Sequence, residues 1–561
     1  MKSAELRERL VSGAELALLD VREQGVHTKG HPFFASSLPL SRLELMVLDL
    51  VPRSSAPLVL LDCGGEGLAE RAQEKLDELG YTDIHILEGG CAAWKATGGE
   101  LFSGVNVPSK AFGEFVEHRF ETPRIPPAEL KRLKDSGRKL VILDSRPWEE
   151  YHRMNIPGGI DSPGAELVYR VHDLADPETL VVVNCAGRTR SIIGCQSLRN
   201  AGLKDVVALK DGTMGWELAG YQCEHGSERV APEPSPEGRR KAREAAAQVA
   251  KRFGVKFTTF ARTMTWRAES MRTTYLLDVR TRAEFEAGRI PGSVHAPGGQ
   301  LVQATDEYVA VRNARLVLVD PERVRSVMTA SWLNQMGWDD VHVLEPEGEF
   351  GLGDITIARG PRAPRIPAYP DWPTVRADEI ARGGANVRAR EGAREGAREG
   401  AKEGAREGAS QRVSASSRED VAVIDLSTSL RFRRKHIPGA WWAVRARLAG
   451  AREKAGTAAQ VVLTSDDGLL ARFAAPEAAA LWPEAQVKVL EGGNAAWFAA
   501  GLPAETGIAR ATTALDDVWY KPYDHEHESD YEKHARAYLD WEVALVDQIK
   551  RDPAIRFRAY D

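Results

Sequence analysis

The stretch Val181-Val-Val-Asn-Cys-Ala-Gly-Arg-Thr-Arg-Ser191 decides the reading of this chain. A β-branched run ends in one cysteine, a short loop carries two arginines, and an apolar set at helical spacing follows (Ile192, Ile193, Cys195, Leu198). Strand, loop and helix in that order place Cys185 among backbone N–H groups at the positive end of a helix dipole. Such surroundings favour a thiolate, and Arg188 and Arg190 add to the effect. The expected product is a nucleophilic sulfur in an anion cradle lined by Ala186, Gly187, Arg188, Thr189, Arg190 and Ser191. Lowering a free cysteine from about 8.5 to about 6.5 takes roughly 2.7 kcal/mol, of which a helix end supplies at most about 2. The arginines must therefore contribute, as thiolate stabilisers and as anchors for an anionic substrate. Gly187 lets the backbone approach closely.

Self-comparison reveals four copies of one unit. An apolar strand ends in Leu19-Asp-Val-Arg22, Leu143-Asp-Ser-Arg146, Leu277-Asp-Val-Arg280 and Ile424-Asp-Leu-Ser427. Ile-Pro-Gly follows twelve residues past the aspartate in three copies, at Ile156, Ile290 and Ile437; the first copy has His31-Pro32 there. A second strand and turn recur 40 to 43 residues past each aspartate, at Cys63, Cys185, Asp320 and Ser465. Three copies close on a glycine turn and a tryptophan, at Trp94, Trp216 and Trp497, and the third shows only Glu347-Gly-Glu-Phe350. Short β-branched strands alternate with amphipathic helices such as Arg71–Leu79 and Met328–Met336. That alternation predicts an α/β fold of four tandem doubly wound domains, each a small parallel sheet flanked by helices, with the ligand crevice at the strand carboxyl ends.

The expected domains are 1–105, 125–230, 255–360 and 373–510, followed by a tail over 511–561. Pro232-Glu-Pro-Ser-Pro236 leads into a connecting helix over Arg239–Phe253, and Pro361 to Pro367 separates the third and fourth units. Arg390 to Ala409 is a tandem of Arg/Lys-Glu-Gly-Ala. Its glycines would cost a helix roughly 4 kcal/mol in total with no apolar face in return, so it reads as a mobile, solvated insertion. In the tail a helix is expected around Glu532–Lys550, docked on the body.

Composition bounds the rest. With 561 residues, 43% hydrophobic and 28% charged, the chain is an ordinary multidomain globular protein. A net charge of −6 gives nucleic-acid binding no general support. Five cysteines (63, 91, 185, 195, 223) with no CxxC argue for a reducing compartment and against a disulfide framework or structural zinc. The charged, amphipathic start Met1–Leu10 is no signal peptide and no apolar run is long enough to span a bilayer, so a cytoplasmic protein is expected, with no membrane partner. His525-Glu-His527 reads as a solvated pair rather than a metal site, and Cys195 as packed core; no metal or cofactor is expected.

In order and spacing, Asp-x-Arg, Ile-Pro-Gly, the cysteine loop and Gly-Gly-x-x-x-Trp resemble the rhodanese family over nearly the whole chain. The resemblance implies thiosulfate sulfurtransferase chemistry. Cys185 takes the outer sulfur of thiosulfate or a similar donor, holds it as a persulfide, and passes it to cyanide, a thiol or a protein sulfur carrier. Asp144 and Arg146 resemble the family's structural ion pair and are read as scaffold. Of the four units only the second keeps the chemistry. Unit one has Cys63 but Glu66 and Leu68 in place of the arginines, and a carboxylate there repels an anionic donor. Unit three has Asp320 for the nucleophile, Pro321 deleting one cradle N–H, and Arg323 and Arg325 free to pair with Asp320. Unit four has Ser465 with Asp466 and Asp467, hence neither thiol nor cation. Two alternatives stand beside this reading. One is a cysteine-dependent phosphatase or arsenate reductase, whose relatives place the loop arginine one residue further on than Arg190. The other is a non-enzymatic scaffold in which Cys185 senses oxidants.

Overall fold

In the computed structural model, residues 1–64, 67–345, 357–382, 421–525 and 528–560 are described. Glu66, Glu347–Phe350, the Arg390–Ala409 tract and His527 lie outside them. The chain builds four five-stranded sheets. In unit one these are β1 (Leu16–Asp20), β2 (Ser36–Ser37), β3 (Leu58–Leu61) and β4 (Ile84–Ile86). Unit two has β5 (Arg124–Ile125), β6 (Leu140–Asp144), β7 (Ile160–Asp161), β8 (Leu180–Asn184) and β9 (Val206–Leu209). In unit three come β10 (Lys256–Thr258), β11 (Thr274–Asp278), β12 (Val294–His295), β13 (Val311–Arg312), β14 (Arg315–Val319) and β15 (Val341–Leu344). Unit four has β16 (Thr374–Val375), β17 (Val421–Asp425), β18 (Trp441–Trp442), β19 (Gln460–Thr464) and β20 (Gln486–Leu490).

Units two, three and four share one strand order, β5-β9-β8-β6-β7 in unit two and its counterparts elsewhere, and all pairs within them are parallel. The reason is local. Strands such as Leu180-Val-Val-Val-Asn184 are buried along their whole length, which suits a parallel sheet covered on both faces by helices. Each unit thereby brings the ends of its two central strands together, Asp144 beside Asn184 in unit two.

The connections depart from beads on a string. Strand β13, though within unit three's stretch of chain, pairs antiparallel with β1 of unit one (Leu16 with Arg312, Ala17 with Val311). One apolar core runs through units one, two and three, from Leu19 and Leu60 through Val181 and Val183 to Leu277 and Leu318. The segment between units one and two, without an expected element, is the helix Val107–Phe120, packed on the helix Thr189–Asn200 that follows the cysteine loop. Phe112 of the former meets Ile192, Ile193 and Trp332 in a buried cluster. The connecting helix runs Pro236–Arg252, capped by Ser235, whose hydroxyl accepts from the Gly238 N–H. Unit four is joined to unit one by Arg445, which is buried between Glu44 and Glu477. The tail helix spans Glu528–Ile549 and buries Ala535, Leu539, Glu542 and Leu545 against the body. No helix of the described residues is long and apolar enough to cross a membrane.

Because Phe112 is wholly buried where three segments meet, Phe112→Ala is expected to lower stability by about 3–5 kcal/mol in urea unfolding. A loss below about 1 kcal/mol would show that the junction is not a packed core.

Candidate functional site

Cys185 follows β8 directly and is 2% exposed. Its Sγ–H points to the Ser191 hydroxyl at 3.4 Å, and that hydroxyl donates to the Arg188 carbonyl at 2.8 Å. The loop is pinned from behind by the glycine turn of the same unit. Thr213 donates its N–H (2.8 Å) and hydroxyl (3.0 Å) to the Cys185 carbonyl, and Met214 N–H reaches the Ala186 carbonyl at 2.9 Å. Gly212, at φ +55°, lies so close to the carbonyls of Cys185 and Gly187 that no Cβ fits. That explains the glycine preceding the tryptophan in the repeat.

Asp144 and Arg146 hold the sheet side of the loop. Arg146 donates to both Asp144 oxygens at 2.8 Å and to the Met154 carbonyl at 2.6 Å. Asn184 bridges Asp144 (2.8 Å) to the Thr213 hydroxyl (3.1 Å). This buried network ends one residue short of the thiol.

The two loop arginines part company. Arg190 forms a bidentate pair with Glu150 at 3.2 and 2.8 Å, which helps hold its guanidinium protonated against burial. Burial opposes ionisation of Glu150, but Arg190, Lys521 and Arg146 outweigh it and hold the carboxyl below its usual range. Arg188 departs from its expected place facing the donor. It donates to Glu114 twice at 2.7 Å, to Glu117 at 2.5 Å and to Asp211 at 3.2 Å, so its charge is neutralised within the protein. The cause is the helix Val107–Phe120, which presents Glu114 and Glu117 three residues apart on one face.

A cavity of about 220 Å³ adjoins the loop at Ala186, Arg190 and Met214. Its walls come from five parts of the chain: unit one with Gln24, unit two, the helix Val107–Phe120 with Lys110, unit three with Gln300 and Glu307, and the tail with Lys521, Tyr523 and Tyr538. Lys521 stands 3.6 Å from Glu150. Behind it Glu542, fully buried, accepts from Lys110 (2.8 Å), Tyr538 (3.0 Å) and Thr189 (3.1 Å). A Cβ on Gly187 would lie 3.2 Å from both Glu542 and the Tyr538 ring, so the tail is one reason for that glycine. Of the groups absent from the sequence-level set, Asp211, Thr213 and Met214 carried a signal in their place in the glycine–tryptophan block, and Asn184 in its place before the cysteine. Glu150, Lys110, Lys521, Tyr538 and Glu542 arrive from distant segments without any motif.

The other three loops are filled from within. In unit one the Asp62 carboxylate accepts from the N–H groups of Gly64, Leu68 and Ala69 at 3.0–3.2 Å. In unit three Asp320 accepts from Glu322, Arg325 and Ser326 at 2.9–3.3 Å, and Arg325 pairs with Asp320, Glu166 and Glu284. In unit four Ser465 Oγ accepts from Ala471 N–H at 3.4 Å. Cys63 is disulfide-bonded to Cys91 with Cα atoms 4.7 Å apart, which corrects the expectation of no disulfide. Cys91 occupies the turn position held by Thr213 in unit two, which returns to the cysteine loop across 28 residues of chain. No short-spacing motif announces that return. Cys195 is core, its thiol pushed up to about 12 by burial, and Cys223 behaves likewise.

The rhodanese-like domain family matches residues 3–97, 126–219 and 263–346. Unit four lies beyond those matches but carries the same strand order. A crystal structure of a thiosulfate sulfurtransferase from Pseudomonas aeruginosa is 44% identical with a TM-score of 0.89, covering 100% of this chain and 99% of that one. YrkF of Bacillus subtilis, named as a sulfur carrier protein, is 27% identical over 146 residues, 24% of this chain and 78% of that protein. An HTH-type transcriptional regulator of Mycobacterium tuberculosis, Rv0324, is 35% identical over 102 residues. That match takes in 18% of this chain and only 44% of the regulator. Three sheets of one topology and a fourth sharing its four-strand core, the Asp-x-Arg and glycine–tryptophan landmarks, and a full-length likeness to a solved sulfurtransferase agree: the chain belongs to the rhodanese family.

Proposed function

We propose that this enzyme moves sulfane sulfur from thiosulfate, or a related anionic donor, to cyanide or a thiol through a persulfide on Cys185. The observation that carries the reading is the thiol at the end of β8 beside a cavity flanked by Arg190, Lys521 and Lys110. The Cys185 thiolate attacks the outer sulfur of thiosulfate; the S–S bond of the donor breaks and sulfite leaves with its electron pair. The acceptor then attacks the outer sulfur of Cys185–S–S⁻, restoring the thiolate. With cyanide the product is thiocyanate.

Within this reading the roles expected of the two arginines separate. Arg190 and Lys521 meet the sulfonate end of the donor, because both stand at the cavity and share one carboxylate, Glu150. Arg188 positions the loop through Glu114, Glu117 and Asp211. Amides of Ala186 to Ser191 cradle the persulfide, and Asp144 and Arg146 are scaffold. A protein sulfur carrier as acceptor is supported by the name of the YrkF relative, and cytoplasmic placement by the free thiols Cys185, Cys195 and Cys223.

Thiosulfate treatment is expected to add the mass of one sulfur atom, mapping to Cys185, with release of thiocyanate on adding cyanide. Cys185→Ser should abolish both, whereas Cys63→Ser should retain them; sulfur on Cys63 instead would reverse the assignment of the active unit. Lys521→Ala is expected to raise the thiosulfate KM about three- to tenfold with kcat nearly unchanged, the range fitting a half-exposed cation. An unmoved KM would remove Lys521 from donor recognition.

A further inference from the structure

A second cavity has no part in this chemistry. It measures about 490 Å³, within the usual range for small-molecule sites, and lies between unit one, unit three and the end of the tail. Its walls are aromatic: Phe33 and Phe34 from unit one, Trp338 from unit three and Phe557 from the tail. Val11, 59% exposed, adds apolar surface to the same wall.

The wall also carries Asp306, Asp339, Arg556, Arg558 and Arg312, and of these charges Arg312 stands against a ring. Arg312, held in place by the β13–β1 pairing, lies with its guanidinium 3.5 Å from the centre of the Phe34 ring. Its Nε is enclosed and donates to no acceptor, and among the described residues no carboxylate comes within ion-pair distance of it. Asp339, also in the wall, is engaged by Arg558. Asp306 is turned to Asn106 at 3.4 Å, and burial followed by the nearby Glu307 pushes its carboxyl up to about 6. Burial also pulls Arg312 down to about 10, the direction expected of a cation without a counter-ion. A desolvated guanidinium is costly unless something anionic completes it. The buried arginines Arg146, Arg188, Arg325 and Arg445 pair with carboxylates, and buried Arg289 donates to the Gly360 carbonyl. Arg312, half-buried, has no ion pair among the described residues, and it faces an open volume.

We propose that this cavity is a second ligand site, taking a small organic anion with a flat apolar body and one carboxylate or sulfonate head. The body lies between Phe34, Trp338 and Phe557, and the head pairs with Arg312. Thiosulfate itself fits poorly, since a small dianion leaves the aromatic walls uncovered. The site is separate from the Cys185 cavity, so its test does not depend on sulfur transfer.

The full chain should be titrated with anilinonaphthalene sulfonate and, in parallel, with uncharged phenylnaphthylamine, which has the same apolar body, following dye fluorescence. One saturable site is expected, with the sulfonate bound about tenfold or more tighter than the neutral dye. Arg312→Met should erase that preference while leaving neutral-dye affinity within about twofold, and Trp338→Ala should weaken both dyes. Equal affinity of the two dyes for the unaltered protein, absence of a saturable site, or full sulfonate affinity in Arg312→Met would each overturn the proposal. The dye comparison on the unaltered chain decides the matter even if the Arg312 variant does not fold.

Discussion

The buried cluster of Arg188 with Glu114, Glu117 and Asp211 is the interaction on which the arrangement around Cys185 depends. It ties the loop to two other segments at once: the helix leading out of unit one and the glycine turn of unit two. Glu114 is fully buried and its carboxyl is raised by burial against the pull of Arg188, so the cluster holds a charge that would be costly unpaired. Removing one partner of such a pair costs about 3–5 kcal/mol, far more than the pair adds relative to an apolar substitute. Its value lies in geometry. A loop fixed at Arg188 presents Arg190, two residues on, to the cavity side, where Glu150 and Lys521 await it.

Four units built on one four-strand core carry three outcomes at the same turn. A strand end followed by a helix offers a group of N–H donors that must be satisfied. In units one and three a side-chain carboxylate, Asp62 or Asp320, accepts from that turn. In unit four Ser465 does so more weakly. Only in unit two is the residue at the strand end a free thiol. Units one and three thus carry a built-in anion at this turn, and unit four a neutral hydroxyl. They remain structurally engaged: units one and three, with the tail, wall the Cys185 cavity, and unit three lends unit one a strand.

Much of this was legible in the residues. The Asp-x-Arg ends of β1, β6 and β11, the all-apolar central strands and the glycine–tryptophan turns specify the unit and its count, because each follows from local backbone demands. The place of Cys185 directly after a strand was legible for the same reason, as was the pairing of Asp144 with Arg146, two residues apart at one strand end. The direction of Arg188 was not. Its partners Glu114 and Glu117 lie 74 and 71 residues away, on a helix for which no element was expected. Likewise nothing in the spacing of Cys63 and Cys91 announces that a turn brings them together.

What the sequence determined by itself is therefore the repeated α/β unit and the place of Cys185 at the end of a central strand, since periodicity, turn chemistry and residue type act over a few residues. What the tertiary structure decided is which charges face the thiol, which are neutralised inside the protein, and that Lys521, Tyr538 and Glu542 of the tail complete the site. Electrostatics and packing act through space, between side chains that the chain order keeps hundreds of residues apart; only the folded core, shared by three units, brings them within reach of one another.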